Sequence, residues 1–393
     1  MEHIYMDHAA TTPMRQEVVE AMMCAMNKSY GNPSSIHAYG REAKRMIQDA
    51  RDQIALMLGA SPHEIIFTSG GSESDNTAIF GAAWSAWLRA REHQSGAERS
   101  KPHVITSTIE HHAVLHACEH LEKLGFGVTY VAPDACGVVR PDAVKAAIQP
   151  NTCLISLMMG NNEVGSLQPI QEIGELAHAH DILMHTDAVQ ALGMIELSLN
   201  KLPVDFASFS AHKINGPKGV GILYVKQGVA YESFIHGGNQ ERKHRAGTEN
   251  VSGIVGMAAA VKLAEEERSD KLVQLAEVRD ALWTGLQELL QDRVVLNGHP
   301  TARLPHILNV SILDVPTENM LMNLDMMGVM VSSGSACTSG SLEVSHVLQA
   351  MELSDERLRS AIRFSFGLGN TKEQAQEVVK RIATIVTRVR NRH

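Results

Sequence analysis

Short, nearly continuous apolar runs recur along the first two thirds of the chain. They fall at residues 64–70 (EIIFTSG), 103–109 (HVITSTI), 127–132 (GVTYVA), 153–160 (CLISLMMG), 182–188 (ILMHTDA), 205–211 (DFASFSA) and 221–225 (GILYV). Between them lie stretches with apolar positions at helical spacing: about Glu73 to Arg91, 112–125 and 170–181. The first pattern predicts strands and the second predicts amphipathic helices. Strand, helix, strand at this spacing predicts an α/β fold with a mostly parallel, helix-covered sheet. Runs that are apolar at every position suit strands buried on both faces.

The pattern changes after about Gly256. A long helical stretch follows to about Leu290, with a break expected near Ser269–Asp270. It reads as a connector into a second, smaller α/β domain with strands at HILNVSIL and AIRFSFG and a closing helix from Thr371. Thr371 suits the N-cap, and the terminal arginines suit the negative end of that helix. The segment 91–102 reads as an exposed loop.

Composition narrows the function classes. The 393 residues carry 44 acidic and 35 basic side chains, a formal charge of −9, which argues against a dedicated nucleic-acid binder. No run reaches the length of a membrane span, and the start, MEHIYMDHAATTP, has neither a basic nor an apolar leader region. Five scattered cysteines (Cys24, Cys118, Cys136, Cys153 and Cys337) read as reduced thiols of a cytoplasmic protein, three or four of them buried. His112, His116 and His120 share one helix face, but no HExxH is present, and the face reads as solvated rather than metal-binding.

Open α/β sheets bind ligands at the C-terminal ends of their strands. Five of the strand ends here carry polar groups: SGGSES with Gly71 and Ser72, then His111, Asn162, Asp187 with Gln190, and Ser210 with His212 and Lys213. The set suits pyridoxal phosphate. Lys213 offers an amine for its aldehyde, Asp187 a carboxylate for its ring nitrogen, and Gln190 and Asn162 hydrogen bonds for its phenolic oxygen. His111 can stack on the ring. The Gly71–Ser72 turn, Ser210 and His212 can hold its phosphate.

YMDHAATTP, GNPSSIHAYG, FTSGGSESDN, EHHAV, GNNEVGSLQPI, HTDAVQALG, SFSAHKINGPKGVG, RAGTENV, VSSGSACTSGS and IRFSFG follow one another in order along the chain. This series resembles the NifS/IscS-like cysteine desulfurases of the class V aminotransferase family over essentially the whole length. The resemblance implies pyridoxal-phosphate fold type I. It divides the chain into an N-terminal segment (1–14) packing with the small domain, a large cofactor domain (15–260) and a small domain (261–393) carrying a cysteine loop. Lys213, 26 residues after Asp187, matches the Schiff-base lysine of the family.

The resemblance also implies a homodimer, with Thr248 reaching the partner subunit's phosphate, and Arg363 clamping the carboxylate of L-cysteine. Serine stands at Ser72 where the family more often has threonine. Cys337 would take sulfur from the substrate as a persulfide, with His111 as acid or base beside it, leaving alanine. The sulfur would pass to an acceptor protein, either an iron–sulfur scaffold or a tRNA-thiolating enzyme. A selenocysteine or cysteine sulfinate lyase, an aminotransferase of the same fold and a non-catalytic scaffold are the competing readings.

Overall fold

The computed structural model describes residues 3–93, 101–334 and 344–390. Cys337 and most of the expected 91–102 loop lie outside the described residues.

The chain opens with a two-residue strand, β1 (Ile4–Tyr5), and continues into helices α1 (Gln16–Lys28) and α2 (Ala38–Leu58). Seven strands then form one sheet: β2 (Ile65–Thr68), β3 (His103–Ser107), β4 (Gly127–Val131), β5 (Thr152–Ser156), β6 (Leu183–Asp187), β7 (Phe206–Ser210) and β8 (Gly221–Val225). Their spatial order is β2-β8-β7-β6-β5-β3-β4. Every pairing is parallel except those of β8, which runs against both β2 and β7.

Alternate residues of these strands serve two cores, which is why the runs are apolar throughout. In β2, Ile65 and Phe67 join the core under α2, while Ile66 joins the core under α3 (Gly71–His93) and α4 (His112–Lys123). The α3 helix begins two residues earlier than the sequence pattern indicates, because Gly71 and Ser72 carry no apolar periodicity. That early start brings both residues into the first turn of the helix.

The long helical stretch is two helices, α5 (Val251–Glu266) and α6 (Arg268–Leu290), broken at Glu267, two residues before the expected break. The first packs on α1 and α2, and the second on the closing helix, α7 (Lys372–Arg390). The expected division at 260/261 therefore falls inside α5. Thr371 accepts a hydrogen bond from the Gln374 amide (3.3 Å) at the start of α7.

Beyond α6 lies an antiparallel sheet in which β10 (Ile307–Ile312) sits between β9 (Val294–Asn297) and β12 (Ala361–Ser365). The initial strand β1 pairs in parallel with β11 (Val329–Met330), so the first residues pack with the last quarter of the chain.

Among the described cysteines only Cys118 is fully buried. Cys24 is exposed on α1, and Cys136 and Cys153 are half-buried, fewer buried thiols than the composition indicates. Among the described residues no helix is long and apolar enough to cross a membrane.

Candidate functional site

A cavity of about 330 Å³ opens at the C-terminal ends of β5, β6 and β7. Gly71, Ser72, His111, Asn162, Asp187, Gln190, Ser210, His212, Lys213 and Arg363, drawn from six separate segments, all line it. The exposed Thr248 does not.

The sharp strand-to-helix turn fixes one wall. Gly70 has φ +155°, and a Cβ at Gly71 would meet Val189 Cγ2 at 2.9 Å. Only glycine leaves this corner open. The first turn of α3 directs its positive end into the cavity, beside Ser210 and His212.

Asp187 ends β6, and its Oδ1 accepts from the Val189 amide (2.9 Å). Burial pushes its carboxyl up to about 6, against the lowering effect of that bond and of the Lys213 charge. The Lys213 Nζ donates to the carbonyls of Ala9 (2.7 Å) and Ala10 (2.8 Å). Gln190 donates to the same Ala9 carbonyl (3.0 Å). The N-terminal segment 7–13 thus borders the cavity directly.

His111 is the N-cap of α4, and its Nδ1 accepts from the Ala113 amide (3.1 Å). Burial, then the charge of Lys213, pushes its pKa down to about 4, so near neutrality the ring is uncharged with its proton on Nε2. His212 is likewise lowered to about 4, chiefly by burial.

Arg363 is 2% exposed and held from three sides. It donates to Asp7 Oδ1 (2.8 Å), the Asn162 carbonyl (2.9 Å) and the Gly334 carbonyl (3.3 Å). Gly334 also lines the cavity and lies three residues before Cys337. Just behind, the buried Glu163 accepts from Ser345.

Several site residues escape the sequence reading. Asp75 lines the cavity with a buried Oδ1 that has no hydrogen-bond partner, and burial raises its pKa well above the usual carboxylate range. Its spacing of three from Ser72 on one helix was the available signal. Glu110 is buried beside these carboxylates. Its Oε1 accepts from Ser107 (2.6 Å) and the Met158 amide (3.0 Å), and burial pushes it up to about 8. The N-terminal carbonyls of Ala9 and Ala10 carried no side-chain signal at all.

The histidine face is solvated at His116 and His120, as expected, while His112 is half-buried. His112 packs against His346 (ring centroids 4.7 Å apart) and stacks on His116 (5.0 Å). Among the described residues no group of three or more histidine, cysteine or acidic side chains is arranged to hold a metal ion.

A strained loop packs against α2 and the start of β2. Glu241, Arg242 and Lys243 have φ values of 42°, 57° and 73°, three successive non-glycine residues in the left-handed region. The buried Glu241 carboxylate pins them through Arg51 (2.7 and 2.9 Å) and the Phe67 amide (3.0 Å). The same loop supplies Arg245, paired with Glu73 of α3 (2.9 Å).

The residues present fit pyridoxal phosphate. An amine, a buried carboxylate, a fixed imidazole and a glycine-shaped helix start converge on one cavity of suitable size.

Comparison with known proteins agrees with this fit. The class V aminotransferase model matches residues 4–378. A putative cysteine desulfurase IscS 1 of Bacillus subtilis is 49% identical, over 99% of this chain and all of its own. A cysteine desulfurase IscS of Dictyoglomus turgidum is 46% identical, over 98% of this chain and 95% of its own. A solved NifS-like protein superposes with a TM-score of 0.89 at 37% identity, over 98% of this chain and 100% of its own. The chain belongs to the class V aminotransferase family of pyridoxal-phosphate enzymes and, within it, to the NifS/IscS-like cysteine desulfurases.

Proposed function

We propose that the protein converts L-cysteine to L-alanine and takes the sulfur as a persulfide on Cys337, working as a cytoplasmic homodimer. The observation that carries this reading is the convergence of Lys213, Asp187, His111 and Arg363 on one cavity, in a chain 49% identical throughout to a putative cysteine desulfurase.

When bound, pyridoxal phosphate supplies an electron sink for the pair released at the substrate Cα. Asp187 holds the ring nitrogen in its charged form. Gly71, Ser72, Ser210 and His212 hold the phosphate, joined by Thr248 of the partner subunit. Gln190 and Asn162 face the phenolic oxygen. Arg363 takes the substrate carboxylate, and its bonds to Asp7 and two carbonyls keep the guanidinium fork aimed. Lys213 Nζ receives the Cα proton. His111, neutral with its proton on Nε2, hydrogen-bonds the substrate sulfur and orients it rather than charging it.

Cys337 is the sulfur acceptor. Cys337 follows Gly334, which lines the cavity, by three positions of sequence. Two other thiols are poor competitors, since burial pushes Cys118 up and Cys153 up to about 12. The persulfide then passes to an acceptor protein, either an iron–sulfur scaffold or a tRNA-thiolating enzyme. The relatives do not favour a selenocysteine or cysteine sulfinate lyase or an aminotransferase.

The test is incubation with L-cysteine without reductant, quantifying alanine and mapping persulfide by mass spectrometry. Persulfide on Cys337 with alanine formed, both lost in Lys213→Ala, is expected. Alanine with persulfide retained in Cys337→Ala would overturn the assignment of the carrier.

A further inference from the structure

We infer that His306 is a positioning residue for this reaction: by hydrogen-bonding Gln190 it fixes which end of that amide faces the cavity. The inference rests on the reading that Gln190 meets the cofactor's phenolic oxygen.

Gln190 is held at both ends. Its Nε2 donates to the Ala9 carbonyl (3.0 Å), and a carbonyl can only accept, so this contact identifies the amide nitrogen. Its Oε1 lies 3.1 Å from His306 Nε2. An amide oxygen can only accept, so His306 must carry its proton on Nε2. His306 is 2% exposed, and Nδ1 has no hydrogen-bond partner. Burial, then the positive groups around it (Lys271, His8, Arg363 and Lys213), push its pKa well below the usual range. The ring therefore stays neutral, with the single proton that Gln190 requires.

The Ala9 contact alone is a weak restraint. The same carbonyl also accepts from Lys213 Nζ (2.7 Å), and one bond lets the amide swing about it. The second bond, from His306, fixes the amide plane. With one N–H committed to Ala9, the other remains for the cavity, and a phenolic oxygen meets a donor. Without His306 the buried Oε1 loses its partner and the amide turns to find another.

A donor to the phenolic oxygen draws off negative charge and lowers the basicity of the imine nitrogen beside it. Losing that donor raises the pH midpoint of the visible absorbance of the cofactor-loaded enzyme. A hydrogen bond of ordinary strength corresponds to about half to one pH unit.

The experiment titrates visible absorbance in four cofactor-loaded proteins: wild type, Gln190→Ala, His306→Leu and His306→Gln. Gln190→Ala and His306→Leu should both shift the midpoint upward. His306→Gln, whose amide nitrogen falls at the place of Nε2, should keep the wild-type value, which a merely space-filling role would not require. If His306→Leu does not fold, His306→Asn, whose nitrogen falls at the place of Nδ1, is the donor-less variant with the same expected shift. A shift in Gln190→Ala without one in the donor-less variant overturns the role of His306 and leaves the reading of Gln190 standing. No shift in Gln190→Ala removes the phenolic-oxygen reading, and the inference with it.

Discussion

Replacing Glu241 with alanine should cost more than any exposed substitution, because it breaks a buried pair. The carboxylate receives three bonds, two from Arg51 and one from the Phe67 amide. The two side chains are 6% and 2% exposed. In Glu241→Ala the Arg51 guanidinium keeps its bond to the Ile65 carbonyl (2.6 Å) and its place over the Phe67 ring, but loses its counter-charge. Removing one partner of a buried pair costs about 3–5 kcal/mol. Alanine relieves no strain, since its Cβ meets the same left-handed penalty at φ 42°. Urea denaturation of the cofactor-free protein measures the loss. Trypsin cleavage after Arg242 and Lys243 gives the local readout: both are exposed, Arg242 donates to the carbonyls of His63 (2.7 Å) and Pro62 (3.0 Å), the Lys243 carbonyl accepts from Ser233 (2.8 Å), and loss of the Glu241 anchor should loosen these contacts. Arg51→Met with Glu241→Leu should recover most of the stability, because no charge is then left buried. A cost below about 1 kcal/mol for Glu241→Ala, with unchanged cleavage, would refute the idea that this pair holds the loop.

Three further expectations follow from the site. Gly71→Ala should leave the fold intact but weaken cofactor binding about tenfold or more, measured by absorbance titration of the cofactor-free protein, since its Cβ would meet Val189 at 2.9 Å. Lys213→Ala should abolish turnover of L-cysteine and the visible absorbance of the lysine-linked cofactor; a yellow, active variant would remove Lys213 from its role. Glu110, raised by burial from 4.5 to about 8, keeps its proton in the folded state where the unfolded state gives it up, so its contribution to stability falls as pH rises from about 4.5 to 8. Glu110→Gln has no proton to lose and should therefore gain on the wild type by about 1.4 kcal/mol per pH unit across that window, in cofactor-free protein; a pH-independent difference would refute the buried, protonated state.

Much of this arrangement was legible in the sequence, for identifiable reasons. Apart from the edge strand β4, the strands of the large sheet are almost wholly buried, so β8 is apolar at every position and its bounds are read correctly. The polar residues at strand ends stand out against those runs, which is how Asp187 and Lys213 are found from spacing and residue type. What was not legible depends on tertiary pairing. The reversal of β8 leaves no mark in its composition. The β1–β11 pairing joins two-residue strands too short to carry a period. Asp75 and His306 are hidden because a buried polar side chain looks the same in sequence whether it faces a cavity or a core. The Ala9 and Ala10 carbonyls belong to residues whose side chains do nothing.

The segment 7–13 also dictates when the site can be completed during synthesis. The Ala9 amide bonds Ser365 Oγ, and Asp7 bonds Arg363, each across 356 positions of sequence. The residues that would cradle the cofactor, from Gly71 to Lys213, leave the ribosome long before Arg363 does. A nascent chain can therefore assemble its cofactor wall while the early carbonyls that restrain Lys213 still lack their last neighbours. On the proposed role of Arg363, the group that would take the substrate carboxylate is among the last parts of the site to be synthesised.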